Sequence, residues 1–285
     1  MCVTLMAFGR RGYAHATDGM VASLRHYGYK GPIHIHATGD MQGRLLPSTV
    51  AESTLHLLPD KDVTSPGLAK VTLPFYLDYG PTLYLDIDGI ALKNIDPLLR
   101  ELMEDGRSYI TQVVDRADVA SGRRPDYFIW ADKDEVITRH GLEEHHILFS
   151  PQTSWAFFRP GPDLDRFTNV LQAVWNQWSV NDIKHKWGKS VPDELIYGIA
   201  CSLCEIDPSW PGTPVHLGKG RQRMPEIVEH YYVLGMYGSG KNTSTVPQRF
   251  RDMYDAVIRQ VVKGGGDKGL KSASYLMRDK YVDQN

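Results

Sequence analysis

Leu83-Tyr84-Leu85-Asp86-Ile87-Asp88-Gly89-Ile90 is the stretch on which the reading of this 285-residue chain turns. Its apolar opening predicts a short buried strand that ends in two aspartates separated by one isoleucine. With strand geometry carried through them, Asp86 and Asp88 point to one side and Ile87 points into the protein. Two carboxylates converging at the end of a buried strand repel each other and lose hydration, a costly arrangement unless a cation sits between them. Oxygen-only donors suit magnesium or manganese better than zinc. A divalent cation held this way commonly serves a phosphate-bearing ligand. The competing reading is a plain turn, because Asp-Gly is a common turn dipeptide.

Upstream of that stretch the chain opens like a β-α-β unit. Val3 to Phe8 predicts a strand, Gly9-Arg10-Arg11-Gly12 a loop, Thr17 to Tyr27 a helix, and Pro32 to Ala37 a second strand. His34 and His36 share one strand face, where packed or hydrogen-bonded histidines are the expectation. Leu55 to Leu58 predicts a third strand, and Gly67 to Leu77 an apolar-faced helical segment interrupted by Pro74. Downstream, Asp96 reads as an N-cap with Pro97 in the first helical turn. Tyr109 to Val114 predicts a strand, and Asp115 to Phe149 a long polar stretch of the kind that carries function. Ser154 to Pro160 resumes strand character. Helices are expected over Asp163 to Trp178, Pro192 to Cys201 and Phe250 to Val262, the last broken by Gly264-Gly265-Gly266, with a late strand over Ile227 to Leu234. Strands alternating with helices imply an α/β fold with a mainly parallel sheet, in which ligands bind at the carboxyl ends of strands. The aspartate pair lies at such an end.

A chain of this length can bury one large α/β core. The net charge of −2 argues against a generally basic nucleic-acid coat. No apolar run approaches the roughly 20 residues that a membrane span needs. Met1 to Phe8 lacks the basic region and cleavage site of a signal peptide, so a cytoplasmic protein is the expectation. Cys201 and Cys204 invite a zinc or redox reading, but no second cysteine pair exists, and their helical setting makes them small core residues.

With these elements in place, the chain resembles the GT-A class of nucleotide-sugar glycosyltransferases, most closely the family-eight type that includes glycogenin and bacterial galactosyltransferases. Lys70-Val71-Thr72-Leu73-Pro74-Phe75-Tyr76, Thr82 to Asp88 and Ile95-Asp96-Pro97-Leu98-Leu99 carry the resemblance: a basic residue on a helix, Leu-Pro, the Asp-x-Asp strand, then Asp-Pro-Leu. Thr153-Ser154-Trp155-Ala156-Phe157-Phe158 is similar to the family's Asn-Ser-Gly strand, which lines the donor sugar. Asp193-Glu194 is similar to its Asp-Gln pair, and Pro225 to Tyr231 to the strand that supplies a metal-binding histidine. The family's Asn, Gly and Gln are absent here, as is its Gly-x-x-Lys-Pro-Trp; Lys241 stands on Gly238-Ser239-Gly240 instead.

The resemblance implies a GT-A domain over 1–245, with a C-terminal helix and polar basic tail over 246–285. It implies a Mn2+ or Mg2+ ion held by Asp86, Asp88 and His230, with His216 competing for the third place. Lys70, Asp86, Ser154 and Lys241 would bind the donor, and Asp193 and Ser154 would act on the reacting sugar. The implied reaction moves a hexose of the glucose or galactose type from a UDP-sugar to an acceptor, with retention. Such an ion would offset charge growing on the departing diphosphate, and Lys241 would add a point charge there.

Three rivals stand beside it: a P-loop NTPase or kinase, a sugar-nucleotide nucleotidyltransferase, and a non-catalytic binding protein on the same scaffold, against which the intact Asp86 and Asp88 speak. Gly235 to Asn242 nearly spells a phosphate-binding loop, but Asn242 replaces the hydroxyl that binds magnesium. A sugar-nucleotide nucleotidyltransferase would carry a Gly-rich basic signature after the first strand, of which Gly9-Arg10-Arg11-Gly12 is a thin echo. The acceptor is left open by the sequence: a saccharide, a lipid-linked sugar, a protein side chain or a hydroxymethylated base in DNA. For DNA speak Arg116, Arg123 and Arg124 with Tyr127, Phe128 and Trp130, the run Lys184 to Lys189, and the basic tail.

Overall fold

The computed structural model describes residues 1–9, 11–119, 131–178, 182, 191–212, 216–217, 229–235 and 248–273. Its main sheet has six strands, mostly parallel, in the order β3-β2-β1-β4-β7-β6. These are β1 (Cys2–Ala7), β2 (Ile33–Ala37), β3 (Thr54–Leu57), β4 (Thr82–Leu85), β6 (Tyr109–Asp118) and β7 (Ile147–Phe158). β1–β2 and β2–β3 are parallel, and β6–β7 is antiparallel. A small second sheet has the order β5-β9-β8, from β5 (Gly89–Ala91), β8 (His216–Leu217) and β9 (Val233–Gly235). The chain divides into two compact units: residues 1–59, 83–105 and 212–285, and residues 60–82 and 106–211.

The first unit is built on β1, all six of whose residues are buried. Helix α1 (Arg11–His26) packs its Met20, Val21 and Leu24 into this core. It starts six residues earlier than its apolar spacing predicts, taking Arg11 and Gly12 out of the expected loop. Two short helices follow, α2 (Gly39–Gln42) and α3 (Pro47–Ala51). Asp18 on α1, 1 % exposed, accepts from the Leu46 N–H (3.0 Å) and the Thr49 hydroxyl (2.7 Å) at the start of α3. Burial raises its carboxyl above the usual range. His34, His36 and His56 form a ladder, with His34 Nδ1 2.8 Å from His56 Nε2 and the His36 and His56 rings stacked 4.6 Å apart. The expectation of packed histidines holds.

Helix α5 (Asp96–Asp105) begins at Asp96, whose N–H donates to the Asn94 side chain. The capping side chain is therefore Asn94, two residues before the predicted one. The C-terminal helix belongs to this unit as well. It is labelled α9 (Gln248–Lys263), and its Met253, Tyr254, Val257, Ile258 and Val261 make one buried stripe. Gly19 of α1 has no side chain for a reason: a Cβ there would sit 2.1 Å from the Tyr254 hydroxyl.

The second unit starts with a 3-10 turn and α4 (Pro66–Thr72), capped by the Ser65 hydroxyl, which accepts from Leu68 N. Pro74 ends the α-helix, and Leu73–Tyr76 continues as a 3-10 turn. The predicted loop 115–149 is shorter than expected: it contains the end of β6, helix α6 (Lys133–His140) and the start of β7. Helix α8 (Asp193–Cys204) packs on β7, and α7 (Pro162–Gln177) packs on α8. Tyr109 of β6, fully buried, stacks on Phe167 of α7 at 4.7 Å and lies 5.5 Å from the Tyr197 ring of α8. Gly198 lets α8 touch β7, since a Cβ there would sit 2.2 Å from the Phe149 carbonyl oxygen. Cys2, Cys201 and Cys204 are free thiols and buried, which for Cys201 and Cys204 is what the core reading expects.

Candidate functional site

β4 stops at Leu85, and Asp86, Ile87 and Asp88 form a turn before β5. The turn reading is thus the correct local one, and strand alternation does not place the two carboxylates. Ile87 is buried at 9 % exposure, while Asp86 and Asp88 are half-buried. Tyr84, two residues back in β4, donates its hydroxyl to Asp86 Oδ1. That partner fixes one carboxylate before any ligand arrives.

The histidine expected as third ligand is not brought to this turn. β5 and β9 are antiparallel, with Gly89 opposite Gly235 and Ala91 opposite Val233. Asp88 therefore adjoins the end of β9, whereas His230 precedes its start, separated by the ladder's length of roughly 10 Å. His230 is exposed and lies in a helical pair with Glu229 instead of the predicted strand. His216 pairs with Val233, at the same far end. Among the described residues no three His, Cys, Asp or Glu side chains group closely enough to hold a metal ion. Lys93 anchors the His230 segment: its ammonium donates to Glu229 O (2.7 Å) and stands 4.4 Å over the Tyr232 ring. Lys241 lies outside the described residues.

In the second unit the expected residues do converge. Lys70 Nζ on α4 stands 3.4 Å from Asp193 Oδ2, both side chains 15 % exposed. Asp193 is the first residue of α8, where a negative charge is favoured by the helix dipole. Lys70 is placed by close packing: a Cβ on Gly67 would meet the Val191 carbonyl oxygen at 2.5 Å, and the Tyr197 hydroxyl donates to Lys70 O at 2.8 Å. Burial, with the Asp193 carboxylate adding to it, pushes the Tyr197 hydroxyl well above its ordinary range, so it stays a donor.

Ser154, expected at the donor sugar, is fully buried. Its neighbour Thr153 donates to Asp193 Oδ2, and the Thr153 carbonyl accepts from Lys70 Nζ at 3.3 Å. Thr153, Tyr84 and Tyr197 were not legible as site residues.

No family model matches the sequence, and no curated protein matches it either. Solved structures do match. The bifunctional glycosyltransferase WbbM in its apo form aligns at TM-score 0.54 and 14 % identity, over 92 % of this chain and 49 % of that one. The galactosyltransferase LgtC in complex with donor and acceptor sugar analogs aligns at 0.53 and 10 %, over 92 % and 96 %. An active-site mutant of LgtC aligns at 0.51 and 12 %, over 90 % and 96 %. This chain therefore spans about half of WbbM and nearly all of LgtC. The chain has the GT-A fold. Within a GT-A fold, the Asp86–Asp88 turn follows a main-sheet strand at its carboxyl end, where ligands of α/β sheets bind.

Proposed function

We propose that the chain is a nucleotide-sugar-dependent glycosyltransferase that moves a hexose of the glucose or galactose type from UDP to a saccharide hydroxyl. The observation that carries this reading is the Asp86-Ile87-Asp88 turn at the end of β4, one carboxylate already fixed by Tyr84, in a chain of GT-A fold. UDP as the nucleotide and retention at the anomeric carbon follow from the resemblance alone.

Two half-buried carboxylates are oxygen-only donors, and magnesium is commonly bound by one or two carboxylates plus substrate phosphates. Asp86 and Asp88 therefore fit Mn2+ or Mg2+ arriving with a diphosphate, with two protein ligands in place of the expected three. When bound, such an ion offsets the charge that grows on the departing diphosphate. Tyr84 holds Asp86 in one orientation, which lowers the cost of ordering it on binding. Asp193 accepts hydrogen bonds from hydroxyls of the donor sugar, and Lys70 holds Asp193 for that task.

A DNA acceptor has little to support it. Arg116 is exposed on β6 among Asp115 and Asp118, and Arg123, Arg124, Tyr127, Phe128, Trp130 and Lys184 to Lys189 lie outside the described residues. The nucleotidyltransferase reading loses its loop, since Arg11 and Gly12 are helical. The phosphate-loop reading rests on 236–242, also outside the described residues.

A thermal-shift screen of UDP-, GDP- and TDP-sugars with and without Mn2+ tests the proposal. A donor at a hundred times its dissociation constant stabilises by about 2.7 kcal/mol, or roughly 5 °C for a chain of this size. Asp88→Asn is expected to remove the Mn2+-dependent part of the shift and leave the ligand-free melting temperature in place. No shift with any nucleotide sugar would overturn the reading.

A further inference from the structure

We infer that Thr153 is a positioning residue for Asp193, set in place by a bulge in β7 that Thr111 braces; this rests on the glycosyltransferase reading and extends it. The register carries the first part. Ile110 pairs with Phe157 and Gln112 with Gln152, so β7 advances five residues while β6 advances two. The three extra residues fall within Thr153–Ala156. A bulge re-aims side chains and is over-represented beside functional sites.

Thr111 lies across the gap in β6. Its hydroxyl stands 2.8 Å from Gln152 O, just before the bulge, and 2.7 Å from Trp155 O, within it, sharing its proton between them. Thr111 is itself held outside the ladder, its N–H donating to Pro208 O (2.8 Å) and its carbonyl accepting from Trp210 N (3.0 Å). It is buried at 0 % exposure. The bulge is therefore pinned, and Thr153 with it.

From that place Thr153 touches both members of the Lys70–Asp193 pair. Its hydroxyl donates to Asp193 Oδ2, and its carbonyl accepts from Lys70 Nζ. An aspartate carboxylate turns readily about its last torsion, which is broad and two-fold. Two anchors on the same oxygen, Thr153 and Lys70, stop that rotation. Asp193 Oδ1 makes no hydrogen bond to the described residues, and it is the oxygen left to accept from a sugar hydroxyl. Where the related glycosyltransferases carry an asparagine that lines the donor, this chain has a hydroxyl that works through Asp193. Ser154, fully buried one residue on, is not in a position to replace it.

The test uses the full chain, with UDP-glucose and UDP-galactose plus Mn2+ and release of UDP as the readout. Thr153→Val keeps the shape and removes the hydroxyl; Thr153→Ser keeps the hydroxyl. Thr153→Val is expected to lower kcat by ten- to a hundred-fold with KM changed much less, the loss typical of a misplaced reacting group. Thr153→Ser is expected to recover kcat to within about threefold of the parent. Equal kcat in Thr153→Val and the parent would overturn the inference and leave the glycosyltransferase reading standing. So would a Thr153→Ser variant as slow as Thr153→Val, because that pattern marks a packing role. A parent chain that turns over neither donor overturns both. Independently of any donor, a crystal structure of Thr153→Val with Asp193 in the parent's rotamer would sink the inference.

Discussion

Tyr84 stands outside the Asp86-Ile87-Asp88 motif yet holds one of its two carboxylates. Its hydroxyl donates to Asp86 Oδ1, and its ring is buried at 4 % exposure on β4. Tyr84→Phe removes the hydrogen bond to the Asp86 carboxylate and keeps the ring. Donor turnover in the presence of Mn2+ is expected to fall about tenfold, equivalent to about 1.4 kcal/mol of barrier. The melting temperature should move by only a few degrees. Turnover equal to the parent's would show that Asp86 needs no help in holding its orientation. At this scale Asp86 and Asp88 stood out by residue type and spacing, whereas Lys70 and Asp193 were singled out by the resemblance alone. Thr153 escaped because a threonine in a strand has an ordinary explanation, and its role depends on a register slip that residue types do not encode.

Among elements, β2 and β3 are joined by more than their backbone ladder. His36, 2 % exposed, has its imidazole lowered from 6.5 to about 3, by burial first and then by the neighbouring His56 and His34. In the folded chain His36 is thus neutral down to about pH 3, while in the unfolded chain it takes up a proton near 6.5. The unfolded state binds more protons between these values, so stability is full above pH 6.5 and is lost as the pH falls through that window. The slope attributable to this one group approaches roughly 1.4 kcal/mol per pH unit. Urea unfolding at pH 7.5, 5.5 and 4.5 measures it, and His36→Gln is expected to flatten the dependence. An equally steep dependence in that variant would assign the acid sensitivity elsewhere. Strand pairs of this kind were readable from alternation, and so were the helices whose apolar stripes repeat. The β7 bulge was not: Thr153 to Phe158 keeps the composition of a plain strand, and only the partner strand's shorter path reveals the insertion. The start of α1 was missed for a related reason, since Arg11 and Gly12 have no apolar spacing to declare them helical.

For the molecule as a whole, the order of strands and helices along the chain was enough to name the α/β class, because a parallel sheet needs crossover helices and leaves that alternation in the sequence. Where His230 falls relative to the Asp86–Asp88 turn was not reachable that way. It depends on the β5–β9 register, which sets Asp88 beside Gly235 and His230 at the opposite end. Among the described residues no helix is long and apolar enough to cross a membrane. The stretch beyond residue 245 had looked like an appendage. Yet α9 lays five buried side chains against the first unit, Gly19 is shaped around Tyr254, Tyr27 donates to Gln260 (3.2 Å), and Ser48 donates to Asp267 (2.6 Å). A gene shortened to end at Thr245 would therefore yield a polypeptide with a bare greasy furrow along α1, expected to bind dyes such as ANS more strongly than the 285-residue chain does.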